Sequence, residues 1–251
     1  MDRKPESNIK RRHCILLITA ALLLALVIGV VLYVSTYYRA DETALAALEG
    51  SETVAVESRD GLTLFLPREP VAGFIFYPGG KVESTAYASL MLRLAQENIL
   101  CVIVKMPCNL AVLNVDAAAG IPAQFPQVDR WYMGGHSLGG SMAASFLADH
   151  REDFAGLILL AAYSTEAISD GNVLSVYGDR DGVMNREKYA KYKENLPENT
   201  TEVVIPGGNH AFFGSYGHQK KDGHAAITAQ QQVEATVEAI LQWMAASGDS
   251  L

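Results

Sequence analysis

The sequence predicts an α/β protein: a mostly parallel sheet with helices on both faces, preceded by one N-terminal transmembrane helix. Three observations lead there. An uncharged run, Ile15–Val34, follows a basic cluster. Behind it, short continuous apolar runs alternate with amphipathic stretches, the pattern of strands buried on both faces between crossover helices. Within that alternation, Gly135-His136-Ser137-Leu138-Gly139 lies between the apolar run Arg130–Met133 and the helical stretch Ser141–Ala148. A serine is thereby placed on a strand-to-helix turn.

The N-terminal run holds 20 residues without a charge. At about 1.5 Å per residue such a helix spans a hydrocarbon core of roughly 30 Å. Arg3, Lys4, Lys10, Arg11 and Arg12 precede it and only Arg39 follows closely. That asymmetry predicts a cytoplasmic N-terminus and an extracytoplasmic remainder, held at the cell membrane by a single pass. Tyr33, Tyr37 and Tyr38 fit an interfacial aromatic belt. A cleavable signal peptide is the rival, but its apolar core is shorter and no small-x-small site follows the run.

The expected organisation is a basic tail over residues 1–13, a signal-anchor helix over 14–38, a stalk over 39–52 and a folded domain over 53–251. Asp41–Gly50 has helix-forming composition and ends in glycine, as a stalk or first short helix would. Thr53–Glu57 and Leu62–Leu66 alternate around Arg59-Asp60-Gly61, which predicts a hairpin. Gly73–Tyr77 is a buried strand that runs into Pro78-Gly79-Gly80, followed by a helix over Ala86–Glu97 and a strand over Ile99–Val104. After the serine turn come strands over Gly156–Leu160 and Val173–Tyr177, a helix over Glu187–Asn195, a strand over Glu202–Ile205 and a last helix over Thr228–Ala246. The connection Leu160–Val173 leaves room for one short helix at most, so little or no cap is expected over a site at this edge.

Composition narrows the partners. The 251 residues carry a net charge of −8, unevenly placed. Residues 1–40 hold six Lys/Arg and two Asp/Glu; the remainder holds 14 and 26, a net of −12. So acidic a domain is not built for nucleic acid. Cys14, Cys101 and Cys108 have no zinc-type spacing and read as unpaired, with a Cys101–Cys108 bridge requiring a tight loop between them. Asn199-Thr200-Thr201 is a glycosylation sequon.

The chemistry follows from the serine. A hydroxyl is a weak nucleophile and needs a base, and the base needs an orienting carboxylate. On a strand-to-helix turn the N–H of the next residue, Leu138, sits at a helix N-terminus, where negative charge is favoured. The strand Val173–Tyr177 runs into Gly178-Asp179-Arg180-Asp181-Gly182-Val183, and Glu202–Ile205 into Pro206-Gly207-Gly208-Asn209-His210. Acid and base thus follow the serine in order at strand ends. The other histidines compete less well. His13 adjoins the anchor, His136 is expected to point away from the turn, His150 follows the helix, and His218 and His224 lie in a polar loop. The loop Pro78-Gly79-Gly80-Lys81 is the expected source of a second oxyanion donor, Gly80 or Lys81.

These segments resemble the α/β-hydrolase superfamily, and more closely its small, lid-poor members related to dienelactone hydrolase. The carriers are Tyr77–Val82, Gly135–Gly140, Gly178–Val183 and Gly207–His210, within the stretch from Thr53 to the C-terminus. The resemblance implies Ser137 as nucleophile, Asp181 as acid and His210 as base. Pro78 stands where the common pattern has histidine, and serine stands where dienelactone hydrolases carry cysteine. Esterase-type chemistry on a small-molecule or envelope ester is therefore expected, with no cofactor and no metal. Acyl transfer to an envelope alcohol is the alternative with the same residues; a non-catalytic binding protein would need no complete Ser/Asp/His set.

Overall fold

The computed structural model describes residues 5–246, with side chains from Arg12 onward. Arg3 and Lys4 of the basic cluster lie outside the described residues, as do the side chains of Lys10 and Arg11 and the last five residues of the expected domain. The chain divides into a helical unit ending at Tyr37 and a folded unit beginning at Tyr38. The first is α1, Pro5–Ser35. Its stretch Arg12–Ser35 is long and apolar enough to cross a membrane, with leucines such as Leu16, Leu23 and Leu32 exposed on its surface.

The folded unit is built on one eight-stranded sheet: β1 Val54–Arg59, β2 Leu62–Pro67, β3 Ala72–Tyr77, β4 Ile99–Val104, β5 Trp131–His136, β6 Gly156–Leu160, β7 Asn172–Gly178 and β8 Thr201–Ile205. The spatial order is β1-β2-β4-β3-β5-β6-β7-β8, and every pair from β4 to β8 is parallel. β1 and β2 form the expected hairpin, with Arg59 opposite Leu62. Asp60 and Gly61 both have positive φ, 51° and 78°, the backbone a two-residue hairpin turn requires.

Parallel strands need crossovers, and these cover both faces. α2 Glu42–Ala47, α3 Ala88–Gln96 and α6 Ala229–Ala246 share one core layer; α4 Leu138–Asp149 belongs to the other. Side chains of β3 alternate between the layers: Phe74 and Phe76 belong to the same core cluster as Leu90, Met91, Ile240 and Trp243, while Ile75 and Tyr77 belong to that of Ala143, Ala144 and Phe146. Truncating a buried leucine or isoleucine in such a layer to alanine costs about 2–5 kcal/mol. α5, Arg186–Tyr192, is shorter than expected because its last turn tightens to a 3₁₀ turn at Lys193–Asn195. The two strands that follow β3 in the chain lie on opposite sides of it, β4 on one and β5 on the other. At such a switch point the loops beyond β3 and β5 diverge and leave a crevice.

One segment differs from expectation. The expected stalk, residues 39–52, is packed onto the domain. Tyr38 bridges in parallel to Val82, Asp41 caps α2 by accepting from Ala44 N at 3.1 Å, and Ala44 and Ala47 are buried. Helical composition ending at Gly50 is shared by stalks and packed helices; the buried alanines decide it. The connection between β4 and β5, residues 105–130, is a chain of four short 3₁₀ turns. Tyr77 ties it down: its hydroxyl donates to Val115 O at 2.7 Å and accepts from Ala118 N at 2.8 Å. No helix or strand occupies the β6–β7 connection, residues 161–171. Cys101 is buried, Cys14 and Cys108 are exposed, and all three are free thiols.

Candidate active site

Four loops at the C-terminal ends of β3, β5, β7 and β8 bring the candidate residues to one edge of the sheet. Ser137 follows β5 directly and occupies the N-cap position of α4. Its φ is 53° and its ψ −123°, a conformation that costs a non-glycine residue about 1–3 kcal/mol. Small neighbours make the turn sterically feasible. A Cβ on Gly135 would lie 2.6 Å from Tyr77 O, and one on Gly139 2.2 Å from Tyr77 O and Pro78 O. The turn is locked by Ser137 N donating to Leu160 O at 2.9 Å.

His210 and Asp181 are joined. His210 Nδ1 lies 2.8 Å from Asp181 Oδ2, with both residues buried. Asp181 Oδ1 accepts from Val183 N and Met184 N, each at 2.8 Å. Burial alone would raise the Asp181 carboxyl. The His210 ring and the two backbone N–H groups together overturn it and leave the group below its ordinary range. A carboxylate so held accepts from Nδ1, leaving Nε2 of a neutral His210 ring free to take a proton.

The other carboxylate of that loop is turned elsewhere: Asp179 Oδ1 accepts from Gly207 N at 2.7 Å. It ties the β7 loop to the β8 loop. The two loops touch closely: Arg180 N donates to Gly208 O at 2.9 Å, and a Cβ on Gly178 would lie 2.2 Å from Gly208 O. Gly182 has an ordinary φ; it is small because a Cβ there would lie 2.7 Å from Lys221 O.

The Ser137 hydroxyl is half-buried and has no hydrogen-bonding partner among the described residues. Ser137 and His210 share no hydrogen bond here; catalytic contacts of this kind commonly close only in the substrate complex. The serine's neighbour His136 has its ring centroid 4.5 Å from that of His210. His136 is itself buried and packs beside the His210 ring, with Nδ1 lying 2.8 Å from the Tyr87 hydroxyl. Burial, and then the nearby His210, push it well below the ordinary histidine value, so it stays neutral. His150 stacks on Phe146, and His218 stacks on His224.

The candidate oxyanion donors separate clearly. Lys81 N donates to Asn109 O at 2.7 Å and Gly79 N to the Tyr87 hydroxyl at 3.0 Å. The N–H groups of Gly80 and Leu138 have no acceptor among the described residues. Leu138 is the first residue of α4, where such a donor is unpaired by construction. A Cβ on Gly80 would lie 2.9 Å from Leu138 Cδ2, so the two residues are in contact.

Sequence reasoning missed Asp222. Its buried carboxylate accepts from four backbone N–H groups: Gly182 at 3.1 Å, His210 at 3.2 Å and Gly223 at 2.8 Å on Oδ1, and Ala211 at 2.8 Å on Oδ2. One side chain thus fastens the acid loop to the base loop. Asp222-Gly223 reads as an ordinary turn, and nothing local marks partners 11 to 40 residues away. Hydrogen bonds to a charged group contribute about 1.5–3 kcal/mol each. Asp222→Ala is expected to lower stability by about 3 kcal/mol or more and turnover by at least about tenfold. Denaturant midpoints and kcat measured on the same preparations check both.

The segment from residue 73 to residue 234 matches the alpha/beta hydrolase family. The protein belongs to that family, and the fold is its hydrolase fold. No curated protein matches the sequence. Among solved structures, the chain is similar to Est1E from Butyrivibrio proteoclasticus, with 19% identity and a TM-score of 0.53 over 77% of this chain and 100% of that one. It is similar to a dienelactone hydrolase from Anabaena variabilis, with 10% identity and a TM-score of 0.57 over 76% and 99%. A thermophilic esterase from Thermogutta terrifontis aligns with 13% identity and a TM-score of 0.53 over 77% and 97%. At these identities the likeness is one of fold.

Proposed function

We propose that this hydrolase is a membrane-anchored serine esterase whose catalytic domain faces the extracytoplasmic side. The observation that carries the reading is the buried Asp181–His210 pair beside a strained serine turn. Ser137 attacks an acyl carbonyl while His210 Nε2 takes its proton. Asp181 keeps Nδ1 protonated and stabilises the imidazolium. The N–H groups of Leu138 and Gly80 receive the charge that develops on the carbonyl oxygen. His210 then protonates the leaving alcohol, and water, activated by the same histidine, releases the acid and restores the serine. The esterase neighbours support an ester as the substrate class.

The open β6–β7 connection supports a site without a cap at that position. Such a site buries little of its ligand and suits short acyl esters or an ester projecting from a bulky polymer. Turnover of a short-chain ester is expected below any micellar threshold, with no jump when a long-chain ester passes its own. A sharp jump with negligible short-chain activity contradicts the reading.

The anchor rests on α1 and on the basic excess before it. Protease added outside intact cells or right-side-out vesicles is expected to remove the folded domain. Protection of that domain, with only the first dozen residues accessible, reverses the topology.

A further inference from the structure

Gly80 has an unclaimed N–H, yet nothing in a glycine's own side chain can hold it in place. Its neighbours are held instead. Gly79 N is fixed by the Tyr87 hydroxyl and Lys81 N by Asn109 O. The carbonyl of Lys81 accepts from Tyr38 N at 2.8 Å, and Glu83 N returns a bond to Tyr38 O at 2.9 Å. Tyr38 is the first residue of the folded unit, and only Thr36 and Tyr37 lie between it and the last residue of α1.

The grip extends over four residues. Ala40 N donates to Glu83 Oε2 at 3.0 Å, and Asp41 N to Ser215 O at 2.9 Å. Lys220 N donates to the Tyr38 hydroxyl at 3.1 Å, and the Tyr38 ring lies 5.6 Å from that of Tyr216. Ser215 N in turn donates to Ala86 O at 2.7 Å. Residues 38–41 therefore bind the loop that carries Gly80 and the loop that follows His210 at the same time.

We propose that Tyr38–Asp41 is a positioning strap: the segment that follows the apolar helix holds the Gly80 loop in the geometry that stabilises the oxyanion. The proposal rests on the reading of Gly80 as an oxyanion donor. It assigns the strap no contact with substrate; it acts through Lys81 and Glu83. A bond formed by the backbone is blind to the side chain at position 38, except proline, which has no N–H to give to Lys81 O.

The test uses the full-length protein in detergent, with a soluble aryl ester and the matching thionoester. In the thionoester the developing charge falls on sulfur, a poorer hydrogen-bond acceptor, so a well-formed hole favours the ester. A loosened hole lowers the ester-to-thionoester ratio of rates, whereas simple loss of folded protein lowers both rates equally. Loss of a whole oxyanion donor costs about 100- to 1,000-fold in kcat, so displacement of the loop is expected to cost about tenfold. Tyr38→Pro should show that fall in kcat with KM within about threefold, a reduced ratio, and an unmoved pH midpoint, since Asp181 and His210 are untouched. Tyr38→Ala, which keeps the N–H, should retain most of the ratio. If Tyr38→Pro does not fold, Glu83→Ala, which frees Ala40 N, carries the test and must lower the ratio. An unchanged ratio in folded Tyr38→Pro, or in Glu83→Ala where the proline variant fails to fold, overturns the strap. A wild-type enzyme with no preference for the ester overturns the oxyanion assignment beneath it as well.

Discussion

Replacing Ser137 with alanine is expected to lower ester turnover by several orders of magnitude with the fold intact. The hydroxyl forms no hydrogen bond among the described residues, so its loss leaves none of their groups unpaired. Relief of the φ 53° conformation does not follow either, because alanine there is as strained as serine. Stability should therefore change little while chemistry stops. Replacing His210 with alanine should cost a similar factor, on the order of 10⁶ where a triad acts as a unit, and the double variant scarcely more. Additive losses, or near-normal turnover in either single variant, contradict a shared role. The histidine variant should also lose stability, since the buried Asp181 carboxylate then lacks its partner.

Asp181→Asn is expected to lower kcat by about 10⁴, the cost of presenting the wrong tautomer to the serine. The amide can no longer accept from Nδ1–H at the Oδ2 position while Oδ1 keeps the Val183 and Met184 bonds. Asp179→Asn removes charge from a carboxylate that accepts from Gly207 N and makes no hydrogen bond to His210 among the described residues. Its effect should fall mainly on stability, with turnover reduced less than about tenfold. A larger fall in kcat for Asp179 than for Asp181 would reverse the assignment. Comparing kcat and denaturant midpoints for the pair separates catalytic from structural loss.

Much of the sheet was legible because buried parallel strands read as unbroken apolar runs. Ile99–Val104 and Gly156–Leu160 emerge with the bounds expected of them. Arg130–Met133 covered only the first half of its strand: β5 runs from Trp131 through Gly134, Gly135 and His136, because glycines that signal a turn are here needed for close packing, Gly134 against Ile158 and Phe74 and Gly135 against Tyr77. Residues 105–130 gave no period because successive 3₁₀ turns impose none, and the anchor of that segment, Tyr77, lies in β3. The expected stalk failed for a similar reason: what turns residues 38–41 into part of the domain is backbone pairing with Lys81 and Glu83, which leaves no mark on side-chain composition.

At the candidate site, Ser137 and His210 stood out by residue type at strand ends, whereas Asp181 over Asp179 rested on the family resemblance. Asp222, Tyr87 and Asn109 did not stand out, because each acts on the backbone of a residue distant in sequence. The choice between Gly80 and Lys81 was open in the sequence. It turns on which N–H is already occupied, and Asn109 occupies that of Lys81.

The most direct measurement is labelling of the full-length protein with a fluorophosphonate, followed by peptide mapping of the adduct. The adduct is expected on Ser137 alone, formed quickly in the wild type and absent from Ser137→Ala and His210→Ala. An adduct on another residue, or esterase activity that survives without any labelling, would contradict Ser137 as the nucleophile.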